Sequence, residues 1–291
     1  MNQYANNPVS GTLYVIATPI GNLSDITRRA TETLEKVDWV AAEDTRHSKP
    51  LLNSLGINQT LLSLHEHNEA QRTEQLLEKL LNGENGALIS DAGTPLINDP
   101  GYYLVKRLRK EGVNVVPIPG PSAVITALCA AGLPTDRFTY EGFLPARSSK
   151  RLLALENLVK ETRTLVFYES PHRLIDCLQD MQQTFGEQRE IVVARELTKK
   201  FEQFVSGSLL EVLTYFTENS DKVRGEFVLM LAGAELKNDE ESAAAMVETD
   251  KMIQVMLKQS LPVKQISEMI AEITGEKKKA IYQRVLEFKA Q

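Results

Sequence analysis

Short runs of branched and aromatic apolar residues alternate, along most of the chain, with stretches whose apolar positions recur every three or four residues. The first pattern predicts strands and the second predicts helices. Strands are predicted at residues 11–17, 39–42, 87–90, 113–118, 138–143, 164–168, 191–194, 203–206 and 227–231. Helices are predicted from a cap at Ser24 or Asp25 to Leu34, and at residues 69–81, 102–110, 149–160, 171–183 and 209–217. Such alternation is typical of an α/β fold with a mainly parallel sheet covered by helices.

The end of the chain follows a different pattern. A polar stretch rich in glutamate and alanine, residues 234–245, precedes helices predicted around residues 253–257, 263–273 and 277–288, with Gly275 at the last turn. From Thr274 onward five basic residues outnumber two acidic ones, a net charge of +3. We therefore predict a loose tail at residues 1–10, α/β domains at 11–123 and 124–236, and a small helical, helix-turn-helix-like domain at 237–291.

The composition is that of an ordinary globular protein, with 42% hydrophobic and 25% charged residues among 291. Because the net charge is −6, any contact with nucleic acid depends on local basic patches. The first residues lack the basic and apolar parts of a signal peptide, and a long uncharged segment, residues 115–135, is broken by prolines and glycines. We expect a cytoplasmic protein without a membrane segment, whose Cys129 and Cys177 remain reduced thiols.

Several common site signatures are absent from the sequence. No glycine-rich phosphate-binding fingerprint follows the first strand, and no nucleophile elbow is present. His65 and His67 have a spacing that could bind a metal on a strand, but no third ligand lies nearby in the sequence. We expect a solvated loop there and no metal site.

What remains is a set of loops, shaped by glycine and proline, that follow predicted strands. They lie at residues 18–21, 90–95, 119–123, 167–173 and 195–200. Each loop by itself could be an ordinary turn. Ligands of α/β proteins bind at the carboxyl ends of the strands, so the five loops together predict the walls of one cleft.

Taken in order, these loops resemble the signatures of a known family. The segments are Ser-Asp-Ala-Gly-Thr-Pro followed by Asp-Pro-Gly, Pro-Gly-Pro-Ser-Ala, Phe-Tyr-Glu-Ser-Pro-His-Arg and Glu-Leu-Thr-Lys. They are similar to those of the bacterial enzymes that methylate a cytidine ribose 2′-hydroxyl in small-subunit (16S) ribosomal RNA, within the tetrapyrrole methylase superfamily. The resemblance covers roughly residues 11–233, and the joint order of the motifs is far more specific than any one of them.

The resemblance implies two α/β domains of the tetrapyrrole methylase type with S-adenosylmethionine in the cleft between them. It implies cofactor contacts at Pro19, Ala92, Gly93, Thr94, Ser122, Ala123 and Tyr168. Small residues at such positions let backbone groups approach a ligand closely. Asp91 could face the cationic part of the cofactor, or it could instead cap the backbone of the loop.

Methyl transfer to a ribose hydroxyl would benefit from a general base, because the hydroxyl is a weak nucleophile. Glu169, His172 and Lys199 are the candidates. Glu169 is favoured because it directly follows a strand, where a side chain can point into the cleft. The alternative is that Glu169 orders its loop through Arg173.

RNA binding requires positive charge at the rim of the cleft. The candidate residues are Arg46, Arg147, Lys150, Arg151, Arg173, Lys199, Lys277, Lys278 and Lys279. The expected partner is 16S ribosomal RNA or the small ribosomal subunit, and we expect a homodimer. Two other hypotheses compete: a tetrapyrrole or other small-molecule methylase of the same superfamily, and a non-enzymatic nucleic-acid-binding protein that uses the terminal helices.

Overall fold

The computed structural model describes residues 10–235, 239–259, 261–275 and 277–290. Its contacts divide the chain into two units, with the division between Ala234 and Glu235. The larger unit contains two five-stranded sheets, and the smaller unit consists of helices.

The first sheet is entirely parallel. It consists of β1 (Thr12–Ile16), β2 (Trp39–Ala42), β3 (Thr60–Ser63), β4 (Gly86–Ile89) and β5 (Asn114–Ile118), in the order β3-β2-β4-β1-β5. The central strands β2 and β4 are buried throughout, as expected where helices cover both faces. Gly86 is required for this packing, because a Cβ there would lie 2.1 Å from the Trp39 ring.

Four helices accompany this sheet: α1 (Arg28–Leu34), α2 (Thr45–Ser54), α3 (Glu69–Leu81) and α4 (Tyr102–Lys110). The first helix begins later than predicted. Thr27 is its N-cap and accepts a hydrogen bond from the Ala30 amide at 3.2 Å, whereas Ser24 and Asp25 form a short 3-10 turn. The sequence pattern did not predict α2 or β3. Pro50 lies inside α2 and normally disfavours a helix, and β3 is a strand of only four residues, none of them fully buried.

The second sheet differs from the mainly parallel expectation. It consists of β6 (Phe138–Phe143), β7 (Thr164–Glu169), β8 (Glu190–Arg195), β9 (Gln203–Ser208) and β10 (Phe227–Leu231), in the order β6-β7-β10-β8-β9. Only β6 and β7 pair in parallel. β10 is antiparallel to both its neighbours, and β9 is antiparallel to β8. The mainly parallel arrangement predicted from the sequence is therefore wrong for this sheet, because β10 lies between β7 and β8 and runs antiparallel to both.

Helices cover both faces of this second sheet. α6 (Ser148–Glu156), α7 (Leu174–Phe185) and α8 (Leu209–Glu218) pack against a core that includes Phe167 and Phe227. α5 (Ala123–Ala131), which follows the first sheet, packs against the opposite face through a cluster that includes Val166 and Val228. The predicted boundary between residues 123 and 124 falls at the start of α5, and it stays a prediction.

The smaller unit contains α9 (Asp239–Lys258), α10 (Val263–Thr274) and α11 (Lys278–Ala290). Its apolar core consists of Ile253, Ile266, Ile270, Ile281 and Val285. Gly275 ends α10 with a φ of 72°, the left-handed conformation expected at a helix C-terminus. No helix among the described residues is both long and apolar enough to cross a membrane.

Candidate methyl-transfer site

A cavity of about 300 Å³ lies between the two halves of the larger unit, and its volume is typical of a small-molecule site. The loops after β1, β4 and β5 and the start of α5 form one wall, with Ile20, Ala92, Gly93, Thr94, Ile97, Asn98, Asp99, Ser122 and Ala123. Strands β6, β7 and β10 with their adjoining loops form the other, with Phe143, Tyr168, Glu169, Ser170, Pro171, Gly225, Glu226, Phe227 and Val228.

Most of the predicted cofactor residues line this cavity, namely Ala92, Gly93, Thr94, Ser122, Ala123 and Tyr168. Gly93 exchanges two backbone hydrogen bonds with Thr18, at 2.8 and 3.0 Å, and has a φ of +80°. A Cβ on Gly93 would also lie 3.2 Å from the Ile20 side chain. Thr94 donates its hydroxyl to the Pro121 carbonyl at 3.0 Å, so the loops after β1, β4 and β5 are held together.

Two predicted cofactor residues lie outside the cavity wall. Pro19 does not line the cavity, whereas its neighbour Ile20 does. The Asp91 carboxylate accepts a hydrogen bond from the Asp44 amide at 3.2 Å and lies 3.2 Å from His47 Nδ1. The structure thus engages the Asp91 carboxylate at the start of α2, and a contact of Asp91 with the cofactor stays a prediction.

The second wall is aromatic. The Tyr168 ring meets Tyr140 and Phe143 edge-on, with centroids 5.1 and 5.6 Å apart. Burial raises the pKa of both tyrosines above the usual value, so both phenols are neutral at physiological pH. Phe143 remains 53% exposed and presents an apolar surface at the cavity.

Glu169 does not extend its side chain into the cavity. Successive strand residues point to opposite faces, so Glu169 shares the face of Leu165 and Phe167, against α6, α7 and α8. Its side chain is fully buried, and its carboxylate accepts hydrogen bonds from the Ser170 amide at 2.8 Å and from Arg173 at 3.1 Å. This corrects the favoured assignment of Glu169 as general base and supports its alternative role of ordering the loop.

Lys199 is engaged with two carboxylates. Its ammonium lies 2.9 Å from Glu196 and 3.0 Å from Glu226, a cavity residue. Burial, the largest contribution, lowers the pKa of Lys199, but the hydrogen bonds to these carboxylates outweigh it and the pKa lies above its usual value. A lysine that stays protonated cannot accept a proton, so Lys199 is a cation at the rim and not a general base.

His172, the remaining candidate base, lies in a 3-10 turn beside the cavity. The turn spans Pro171–Arg173, and Pro171 lines the cavity, whereas His172 is exposed next to it. The position is accessible to a large substrate, but the imidazole is not part of the cavity wall.

Asp99 is a cavity residue that sequence reasoning missed. Burial, reinforced by the negative charges of Glu43 and Asp91, raises the pKa of Asp99 to about 6 against an opposing hydrogen bond with Ser90. The Asp-Pro-Gly segment that contains Asp99 contributed to the family resemblance, so a signal was present. Only the fold distinguishes Asp99, in the wall, from Asp91, outside it.

Other cavity residues carried little signal in the sequence. Ile20, Ile97 and Phe143 are single apolar side chains, and residues 225–228 precede or begin an ordinary buried strand. Residues 225–228 reach the cavity because β10 lies beside β7 in the sheet, a neighbour relationship that no local pattern encodes.

The predicted RNA-binding residues of the larger unit differ in exposure. Arg147 and Lys150 are exposed near the start of α6, and Arg46 is exposed and paired with Asp44 at 2.6 Å. Arg151 is the exception: its side chain is 3% exposed and forms a 2.7 Å ion pair with Asp180 of α7. This corrects its assignment, because a buried, paired guanidinium cannot reach a phosphate.

Two further predicted RNA contacts, Arg173 and Lys278, already form hydrogen bonds or ion pairs within the protein. Arg173 is partly buried and donates to the Leu144 carbonyl at 2.5 Å and to Glu169. In the smaller unit Lys277, Lys278 and Lys279 are exposed around the start of α11, where Lys278 also pairs with Glu268 at 2.5 Å.

The paired sheets and the cavity between them are those of a tetrapyrrole methylase. Residues 12–213 match the model of the Tetrapyrrole (Corrin/Porphyrin) Methylases, and residues 243–289 match the RsmI C-terminal HTH domain. A uroporphyrin-III-C-methyltransferase from Thermus thermophilus aligns with a TM-score of 0.53 and 19% identity, over 76% of this chain and 94% of that one. For diphthine synthase the TM-score is 0.59 and the identity 12%, over 76% and 90%. These likenesses show the fold.

Similarity over nearly the full length defines the family more narrowly. The chain is 51% identical to ribosomal RNA small subunit methyltransferase I of Escherichia coli O157:H7, over 98% of both chains. It is 49% identical to the protein of that name from Haemophilus influenzae, over 94% of this chain and 96% of the relative. The chain therefore belongs to the ribosomal RNA small subunit methyltransferase I family, and it is a methyltransferase. The predicted fold class and family are thus confirmed.

Proposed function

We propose that this protein transfers a methyl group from S-adenosylmethionine to the ribose 2′-hydroxyl of a cytidine in the decoding region of 16S ribosomal RNA. The observation that carries the proposal is the similarity, over nearly the whole chain, to proteins named ribosomal RNA small subunit methyltransferase I. The cytidine and the 2′-oxygen come from the motif resemblance. The partner would be the small ribosomal subunit or its RNA, in the cytoplasm.

The cavity suits S-adenosylmethionine, which supplies an electrophilic methyl group. Its apolar walls, with Ile20, Ile97 and Ala123, would receive the adenosine part. Ser122 is the N-cap of α5, but its side chain makes no capping hydrogen bond, so its hydroxyl remains available to a ligand. The helix N-terminus beside it favours a carboxylate. The missing Cβ of Gly93 leaves room for close approach along the loop after β4.

The chain's contribution to the reaction is mainly positional. The donor is already activated, and aligning two reactants can supply roughly 7–11 kcal/mol of the barrier reduction. The loops tied together by Thr18, Gly93 and Thr94 form a rigid wall for this alignment. The aromatic wall opposite, with Tyr168 and Phe143, would present an apolar surface to the bound cofactor.

RNA would be held by cations around the cavity and on the smaller unit. The proposed contacts are Arg46, Arg147, Lys150, Arg173, Lys199, Lys277, Lys278 and Lys279. A substrate as large as a ribosomal subunit would also suit a homodimer, which we propose as the working assembly.

The test is methyl transfer from labelled S-adenosylmethionine to small ribosomal subunits purified from cells that lack this protein, followed by nucleoside analysis. We expect 2′-O-methylcytidine as the product. Cofactor binding without transfer to subunits or free RNA would contradict the proposal and favour a small-molecule methylase. Absence of cofactor binding would favour a non-enzymatic nucleic-acid-binding protein.

A further inference from the structure

The cavity wall contains one carboxylate whose surroundings differ from those of the others. Asp99 lies in the loop between β4 and α4, on the wall contributed by the first sheet. Its carboxylate interacts with the Ser90 hydroxyl. On the second sheet, the phenols of Tyr140 and Tyr168 have a raised pKa, chiefly through burial and to a smaller extent through the negative charge of Asp99. Asp99 therefore shares the cavity with residues of both halves of the larger unit.

The other acidic residues of the wall are already engaged with cations. Glu169 is fully buried and paired with Arg173, and Glu226 is paired with Lys199. Among the residues that the structure describes, Asp99 forms no ion pair. The charged groups that act on it, Glu43 and Asp91, are themselves acidic. Asp99 is thus a partly buried carboxylate in a negative environment with neutral phenols opposite.

We propose that Asp99 is the general base that accepts the proton of the ribose 2′-hydroxyl during methyl transfer. This inference rests on the proposed function. As the new bond between the 2′-oxygen and the methyl carbon forms, the bond between that carbon and sulfur breaks. Its electron pair remains on sulfur, which becomes a neutral thioether. The hydroxyl proton moves to a carboxylate oxygen of Asp99, and the resulting carboxylic acid releases it to water after the product leaves.

The electrostatics around Asp99 suit this role. Burial first, then the charges of Glu43 and Asp91, raise its pKa to about 6, although the hydrogen bond with Ser90 opposes the shift. The group is therefore ionised at neutral pH but more basic than an ordinary aspartate, and a base is most effective when its pKa lies near the working pH. Burial raises the pKa of Tyr140 and Tyr168 opposite, so neither phenol ionises and competes.

The experiment compares the wild type, Asp99→Asn and the matched control Asp136→Asn, which makes the same change at an exposed position outside the cavity wall. We would measure kcat and KM for methyl transfer to small subunits between about pH 5 and about pH 9. S-adenosylmethionine affinity would be measured by calorimetry. Asp99→Asn should lower kcat by about 10²–10⁴-fold with little change in cofactor affinity. The acid limb of the wild-type profile, expected near pH 6, should disappear, and Asp136→Asn should match the wild type.

A second variant covers the case in which Asp99→Asn does not fold, as judged by circular dichroism. Asp99→Glu keeps a carboxylate and should retain an acid limb with reduced kcat. Three results for Asp99→Asn would each overturn the inference: a kcat within about threefold of the wild-type value, an unchanged acid limb in its pH profile, or loss of cofactor binding. Loss of the acid limb in the folded glutamate variant would overturn it as well. In the first three cases an active wild type would leave the proposed function standing. A wild type that methylates neither subunits nor RNA would instead refute the proposed function, and this inference with it.

Discussion

The side chains of neighbouring residues at the end of β7 lie on opposite faces of the sheet and have different surroundings. Both Tyr168 and Glu169 line the cavity, but the side chain of Glu169 is buried on the opposite face of the strand with Arg173. A similar contrast separates Asp91, engaged with the start of α2, from Asp99, in the wall. At the residue scale, function follows from which face or turn position a side chain occupies, and residue type alone does not assign it.

Thr94→Arg should abolish cofactor binding. Thr94 lies in the cavity wall and bonds to Pro121, so an arginine there would fill the space and break the link between two loops. We expect at least a hundredfold loss of S-adenosylmethionine affinity by calorimetry, with an unchanged circular dichroism spectrum. Thr214→Arg, the same substitution at an exposed position of α8, is the control. Normal cofactor affinity in Thr94→Arg would refute the site assignment.

Asp99→Asn should stabilise the protein at neutral pH. The pKa of this carboxyl is raised from 3.8 to about 6, so the folded state binds a proton more tightly than the unfolded state. Wild-type stability contributed by this group is therefore lost as the pH rises from about 4 to about 6. The pKa shift corresponds to roughly 3 kcal/mol of unfolding free energy. Because the group is about half exposed and screened by solvent, we expect Asp99→Asn to be about 1–2 kcal/mol more stable than the wild type at neutral pH.

Urea unfolding of both proteins at about pH 4 and about pH 7 measures this difference. The asparagine variant should exceed the wild type at the higher pH and lose the advantage at the lower one. Equal wild-type and variant stability at both pH values would show that burial does not destabilise the ionised form of Asp99.

At the scale of helices and strands, the position of a polar residue on its element determines whether it is buried in an ion pair or exposed to solvent. The Arg151–Asp180 ion pair joins α6 to α7 beneath the surface, while Lys150, the preceding residue on α6, is exposed. From the sequence, both residues are candidate RNA contacts. The helical rotation between adjacent positions assigns one to the core and the other to solvent.

Arg151→Ala should therefore lower stability, whereas Lys150→Ala should weaken RNA binding. Removing Arg151 leaves the Asp180 carboxylate buried without its cation, which should cost about 3–5 kcal/mol of unfolding free energy. Removing Lys150 should leave stability within about 0.5 kcal/mol and weaken RNA binding. Chemical denaturation and RNA titration of the two variants test this. A Lys150 variant that unfolds as readily as the Arg151 variant would contradict the distinction.

At the scale of the whole molecule, the cavity and the densest cluster of proposed RNA-binding lysines belong to different units. The cavity belongs to the unit before Glu235, and the Lys277, Lys278 and Lys279 cluster belongs to the unit after Ala234. Because the net charge of the chain is −6, attraction of RNA would depend on local clusters of this kind.

Replacing Lys277, Lys278 and Lys279 by alanine should weaken binding to small subunits and leave cofactor affinity unchanged. Three lost phosphate contacts would reduce the slope of log K against log salt by about 2. The matched control replaces Lys251, Lys258 and Lys264, exposed lysines of the same unit, and removes the same charge. Equal salt slopes for the two triple variants would show that charge alone matters, and not the position of this cluster.

The sequence by itself determined most strands and helices and the family, and it predicted five loops at one cleft, of which all but the loop at residues 195–200 contribute residues to the cavity wall. These features depend on local patterning and on the rule that carboxyl ends of strands carry ligand sites. Patterning missed α2 and β3, where Pro50 and a short, half-buried strand give weak signals.

Only the tertiary structure decided which residues face the cavity and which are engaged elsewhere. Arg151 meets Asp180, Asp91 meets Asp44, and Lys199 meets Glu226, each across a long separation in sequence. The antiparallel insertion of β10 likewise brings residues 225–228 beside the loop that contains Asp99. Such partners are set by packing between distant segments, and no local pattern of hydrophobic and polar residues specifies them.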